Sequence, residues 1–161
     1  MRACPNSPTG PLVFVVDITA RITGDELTPA TKDATVDSAA VKKLSDRGVT
    51  VSGDLGAPAA GLAGPQAEEP LQSEVFVIAR GKGQAIKETD TVAVQMSRTS
   101  WDGTTRSSTW EDHAPSAMPA AQINAAGLPV GSRIVLLAPG NSNGGKRESA
   151  YIYVMDVEKV I

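Results

Sequence analysis

Four groups of residues in this 161-residue chain have types and spacings that could do chemistry. Gly140-Asn141-Ser142-Asn143-Gly144-Gly145-Lys146 has the Gly-x4-Gly-Lys spacing with which a glycine-rich loop cradles phosphates. That chemistry also needs a Ser or Thr after the lysine to hold magnesium, and a helix N-terminus facing the phosphate. Arg147 stands there instead, and the chain runs on into the strand-like Tyr151-Ile152-Tyr153, so a Gly/Asn/Ser hairpin loop is the better reading. His113, the only histidine, follows Glu111 and Asp112 and could join an acid-base pair. Ala114-Pro115-Ser116 behind it places it on a solvated loop. Ser107-Ser108-Thr109 offers hydroxyls, but no Gly-x-Ser-x-Gly elbow surrounds them. Cys4, the only cysteine, excludes an intrachain disulfide and a thiolate metal cluster from this chain alone, and Met1-Arg2-Ala3 gives it no apolar stretch that would make it a lipid acceptor. No metal and no cofactor is expected.

Composition narrows the partners. A net charge of −3, from 15 basic and 18 acidic residues, gives no electrostatic footprint for nucleic acid. There is no polybasic patch for a membrane surface, and no run approaches the roughly 18 apolar residues of a membrane span. The chain is therefore expected to be soluble, without an export signal, its compartment undetermined. Hydrophobic residues make up 41% but aromatics only 4%, so the core must rest on Val, Ile, Leu and Ala.

The elements that position these groups can be read from period and punctuation. Val92, Val94 and Met96 alternate with Thr91, Ala93 and Gln95, the period of two of a half-buried strand. Val75 to Ala79 is an apolar run of strand length ended by Arg80-Gly81-Lys82-Gly83. Trp101-Asp102-Gly103-Thr104 signals a hairpin, Ala120 to Ala126 a short helix stopped by Gly127, Ile134 to Ala138 a covered strand and Tyr151 to Val157 a closing strand. Trp101 and Trp110 flank the hairpin and suit cross-strand packing or a binding patch. Nearer the start, Ser38 to Arg47 predicts a short helix capped by Asp37 or Ser38 and stopped by Gly48. From Gly53 to Pro70, prolines 58, 65 and 70 alternate with glycines 53, 56, 61 and 64, which reads as a flexible spacer with no packed structure. Pro11 to Ile18 and Ala150 to Val157 are versions of one strand: Phe14 and Tyr153, like Asp17 and Asp156, lie 139 positions apart (153 − 14 and 156 − 17).

The order of the strand Thr91 to Met96, the turn Trp101-Asp102-Gly103, the run Ser107-Ser108-Thr109-Trp110 and Leu128-Pro129-Val130-Gly131-Ser132-Arg133 leading into Ile134 to Pro139 resembles the second half of an FKBP-type peptidyl-prolyl isomerase. The resemblance implies an α+β fold, an antiparallel sheet wrapped around one short helix. It also implies a division into residues 1–20, a remnant terminal strand of a preceding FKBP-like domain, as in exported tandem relatives; residues 21–72, a largely flexible linker; and an FKBP-like domain over 73–161. An unpartnered strand at 11–18 should add to an open sheet edge or replace Ala150 to Val157, in the same or a neighbouring molecule, and so favour self-association.

Carried onto this sequence, the resemblance places Met96, Arg106, Ser107 and Tyr153 at the positions of the proline pocket. Met96 stands where the family has tyrosine, Arg106 and Ser107 where it has Phe-Asp, Asp112 where it has a basic residue, and Asn141 and Asn143 where it has tyrosines. Tyr153 alone keeps an aromatic of the pocket wall. Peptide contacts would come from Met96, Trp101, Trp110 and Tyr153. The implied function is that of a family protein binding proline-containing or apolar segments of peptides or unfolded proteins, with weak or no turnover. The alternative is a non-catalytic interaction or chaperone-like module, or a decayed fragment.

Overall fold

The computed structural model describes residues 13, 15–17, 29–143 and 146–161. In chain order the elements are β1 (Thr35–Val36), α1 (Ser38–Asp46), β2 (Val49–Ser52), β3 (Ala60–Ala63), β4 (Glu74–Arg80), β5 (Thr91–Ser100), β6 (Arg106–Ser108), β7 (Ser116–Pro119), β8 (Arg133–Ala138), β9 (Ser142–Asn143), β10 (Lys146–Arg147) and β11 (Tyr151–Val160). The main sheet runs β1-β4-β8-β11-β5-β6, with β7 also on β5, and its pairings are antiparallel. With its single α-helix, the described chain is the α+β fold that the sequence predicts.

Alternation along β11 shows how the sheet buries both faces. Ile152 and Val154 point to one side, where Leu44 of α1, Val49 of β2, Ile78 and Leu137 complete a core. Met155 and Val157 point to the other, against Val92, Val94, Ile134, Ile123 and Leu128. Register fixes these faces, since Met155 lies opposite both Met96 and Ile134, and Val154 opposite Val135. A strand buried on both sides reads as a continuous apolar run, which is why Tyr151 to Val157 looks so uniform.

Helix α1 forms where expected. The Asp37 carboxylate accepts from the Ala40 backbone N–H at 3.0 Å, a side-chain cap, and Gly48 ends the helix in the left-handed region at φ 78°. The helix expected over Ala120 to Ala126 is instead one 3-10 turn, Ala120–Ile123, closed by Asn124 at φ 55° before Gly127 is reached. An asparagine tolerates that left-handed conformation, so it stops the turn early.

The expected linker differs most. Over residues 29–70 much of the chain packs on the sheet: β2 and β3 form a hairpin that lies on it, and Ala59, Ala60 and Gly61 are buried, while Leu71 is exposed. A Cβ on Gly61 would run into Cγ2 of Ile152. Glycine and alanine here allow one layer to approach another closely, and composition alone cannot tell that use from a flexible spacer. Trp101 fixes the next stretch, its indole N–H donating to the Ala67 carbonyl at 3.1 Å. Arg47 pairs with Glu74 at 2.8 Å and ties the end of α1 to β4. The strand read at 11–18 lies largely outside the described residues.

A buried polar network fastens this layer to the sheet. Arg133 and Asp156 are each 2% exposed and meet twice, Nε to Oδ1 at 2.6 Å and Nη2 to Oδ2 at 2.8 Å. Arg133 also donates to the carbonyls of Gly53 (3.2 Å), Asp54 (3.0 Å) and Ala57 (3.1 Å). Thr31 donates to Asp156 at 2.8 Å and accepts from the Gly56 N–H at 3.1 Å. Next to it, the Ala30 N–H donates to Glu158, whose other oxygen is buried without a partner among the described residues. Burial pushes the Glu158 carboxyl up to about 7, against the Ala30 hydrogen bond, and the Asp156 carboxylate adds to the rise.

Two outcomes follow. Limited proteolysis should leave residues 29–70 within the protected fragment, and cleavage throughout residues 53–70 would contradict the layer described. Because the Glu158 carboxyl is raised in the folded chain, its favourable contribution is complete below about 4.5 and is lost as pH rises through about 7. The melting temperature should therefore fall between about pH 5 and about pH 8 more steeply for wild type than for Glu158→Gln. Parallel pH profiles for the two proteins would refute this.

Candidate functional site

The hairpin of β5 and β6 builds a cleft on the face of the sheet away from α1. Met96 and Arg98 alternate along β5 and point to that face with Met155 and Tyr153, their register partners on β11. Opposite Arg98 on β6 lies Ser107. Thr109 fixes the far wall: its N–H donates to the Met96 carbonyl (2.9 Å), and its hydroxyl accepts from the Met96 N–H (2.8 Å) and donates to Gln95 (2.6 Å). The open cleft, about 200 Å3, is lined by Met96, Arg98, Ser107, Ser108, Thr109 and Asp112. The Arg98 guanidinium lies 4.8 Å over the Tyr151 ring, a cation-π arrangement, and the Tyr151 and Tyr153 rings are 6.3 Å apart and tilted by 51°. Its Nε is buried without a hydrogen-bond partner among the described residues.

The residues singled out from the sequence meet different fates. Met96 and Ser107 come together in the cleft, and Tyr153 stands beside it across from Arg98. Arg106 does not line it: that side chain is exposed, and its register partner Thr99 belongs to the α1 face. Arg98 is the cleft's cation, and period-two counting from Met96 would have found it. Trp101 lies on the other face as part of the α1-side core, 8% exposed, so it is not a peptide contact in this cleft. Its hairpin position follows from the strand end, where Asp102 accepts from the Ser100 and Thr104 hydroxyls and the Thr104 N–H, which holds its carboxyl below the usual range. Trp110 is half-buried and also outside the lining, its backbone N–H on the Ser108 hydroxyl.

The other candidates resolve as loops. His113 is exposed with φ 50°. The Gly140 to Lys146 stretch forms the short β9–β10 pairing, Asn143 opposite Lys146, and leads into β11 rather than a helix. Among the described residues no group of three His, Cys, Asp or Glu could hold a metal ion, and no helix is long and apolar enough to cross a membrane.

No protein-family model matches the chain, and no curated protein does. Solved structures do. One is the N-terminal domain of FKBP42 from Arabidopsis thaliana, at 13% identity and a TM-score of 0.46, over 63% of this chain and 99% of that one. Another is FkpA from Escherichia coli, at 19% identity and a TM-score of 0.46, over 76% of this chain and 56% of that one. The chain is similar to FKBP-type structures. At these identities the similarity concerns the chain trace and carries no site residue with it.

A structural role for Trp101 separates it from the cleft. Trp101→Ala should lower unfolding stability by about 3–5 kcal/mol, as for a buried tryptophan, while leaving the amide shifts of Ser107 and Ser108 in the folded fraction near their wild-type positions. Denaturant unfolding and heteronuclear NMR check both parts.

Proposed function

We propose that the β5–β6 cleft binds extended apolar or proline-containing peptide segments and turns them over weakly or not at all. The observation that carries this reading is the lining, which holds one thioether, one cation, one carboxylate and three hydroxyls, and no aromatic ring among the described residues. Rotation about an X-Pro bond faces a barrier of about 18–20 kcal/mol. Lowering it by desolvating the planar amide requires a dry, apolar cradle. A millionfold acceleration needs about 8 kcal/mol, and each buried ring supplies on the order of 1.5–3 kcal/mol. With Arg98 and Asp112 in its walls the cleft retains water, and that source of rate is missing.

The same lining suits binding. Met96 is unbranched and adapts to varied apolar side chains. Arg98 and the hydroxyls of Ser107, Ser108 and Thr109 can donate to peptide carbonyls, and β6, which ends the sheet, offers a backbone edge for an added strand. A buried arginine Nε without an acceptor costs about 1–3 kcal/mol, so a ligand carbonyl reaching that guanidinium would be favoured. The lost rings weigh against an enzyme and towards a non-catalytic interaction module.

Exchange spectroscopy of a short X-Pro peptide tests both halves. With substoichiometric chain the cis-trans exchange rate should stay at its uncatalysed value, while excess peptide shifts the Met96 methyl and Ser107 amide signals, and Arg98→Ala weakens that response. Exchange at the rate per mole of an ordinary family isomerase would overturn the first half. Unmoved Met96 and Ser107 signals would overturn the second.

A further inference from the structure

A second, larger groove of about 420 Å3 opens on the other face of the sheet, between α1 and β2. Leu44, Val49 and Ile78 form its walls and floor, and Arg133 with the 53–55 turn closes one end. Its rim residues Val36 and Val41 are 53% and 40% exposed. We propose that this groove is the docking site for residues 11–18 of the same chain, Pro-Leu-Val-Phe-Val-Val-Asp-Ile.

The occupant is identified by where the chain enters the fold. Thr31, two residues after Pro29, is bonded to the Gly56 N–H and to Asp156. Asp156 holds Arg133, and Arg133 holds the Gly53 and Asp54 carbonyls, so the entering chain is fastened to the turn that walls the groove. From Ile18 to Pro29 there are 29 − 18 = 11 residue steps, a reach of at most about 36–40 Å. A tether of that length holds its end at an effective concentration on the order of millimolar, which favours the same chain over a second copy.

The segment and the groove also match in character. Val13, Val15 and Val16 are 86%, 88% and 78% exposed, an apolar run without cover. A cavity of about 150 Å3 takes a benzene-sized ring. One of about 420 Å3 admits the Phe14 ring with aliphatic neighbours. The guanidinium at its end is neutralised by Asp156, so the site selects apolar side chains rather than an anion. This goes beyond the β5–β6 cleft, which lies on the opposite face.

Amide hydrogen exchange on the full chain tests the proposal, with Phe14→Lys to remove the ring, Val41→Glu to charge the rim, and Ser45→Trp to fill the groove should Val41→Glu perturb α1. The expected result is exchange over residues 12–18 at least ~10-fold slower than in an unstructured peptide, at every chain concentration, and loss of that protection in the variants with helix content unchanged. Unprotected amides in wild type would overturn it. Protection that disappears on dilution, together with a dimer in sedimentation, would make a second copy the occupant. Protection that survives both groove variants would place the segment on a sheet edge instead, and either result also overturns the proposal.

Discussion

The buried bridge between Arg133 and Asp156 is the constraint on which the two-layer arrangement depends. Each group leaves water, and the pair is tolerable because Arg133 and Asp156 have further hydrogen-bond partners besides each other. Those partners are backbone carbonyls at Gly53, Asp54 and Ala57 and the hydroxyl of Thr31, none of which belongs to the sheet. The bridge therefore demands that the 29–57 stretch be in place. Breaking such a pair by losing one member costs about 3–5 kcal/mol, because the survivor stays buried and charged. The outer layer is accordingly part of the domain rather than an attachment to it.

Much of the sheet was legible because its signals are local. The strands over Val92 to Met96 and along β11, and the Asp37 cap with the Gly48 stop, follow from short-range signals, although β5 is buried on both faces rather than half-buried as its period of two suggests. The layer over residues 29–70 was not legible in this way, since Gly61 fits beneath Ile152 through a contact made across 91 positions (152 − 61). A Pro- and Gly-dense stretch looks alike whether it is loose or pressed flat against a neighbour. The cleft was half legible. Met96 and Ser107 follow from the resemblance, whereas the face of Arg106 depends on the β5–β6 register, and that register places Arg98 inside and Arg106 outside.

The chemistry of the cleft turns on what its walls do to water. Its lining combines a thioether and a ring-stacked guanidinium with a carboxylate and hydroxyls, so polar groups face the cleft alongside the apolar one. Thr109, bonded to both backbone groups of Met96, makes the wall rigid without making it apolar. The shape of the cleft and the polarity of its walls are thus set by different residues.

The position of β11 has a consequence for how the chain is made. It lies between β8 and β5 at the centre of the main sheet, yet it is the last of the described strands in sequence. Thr31 and Asp156 are 125 positions apart, so the outer layer, although it also meets β4 through Arg47 and Glu74, lacks its bond to Asp156 until β11 is in place. Contacts of that separation fold slowly, and unpaired strands are open to wrong partners while they wait. A folding chain must therefore keep β8 and β5 apart until β11 inserts between them.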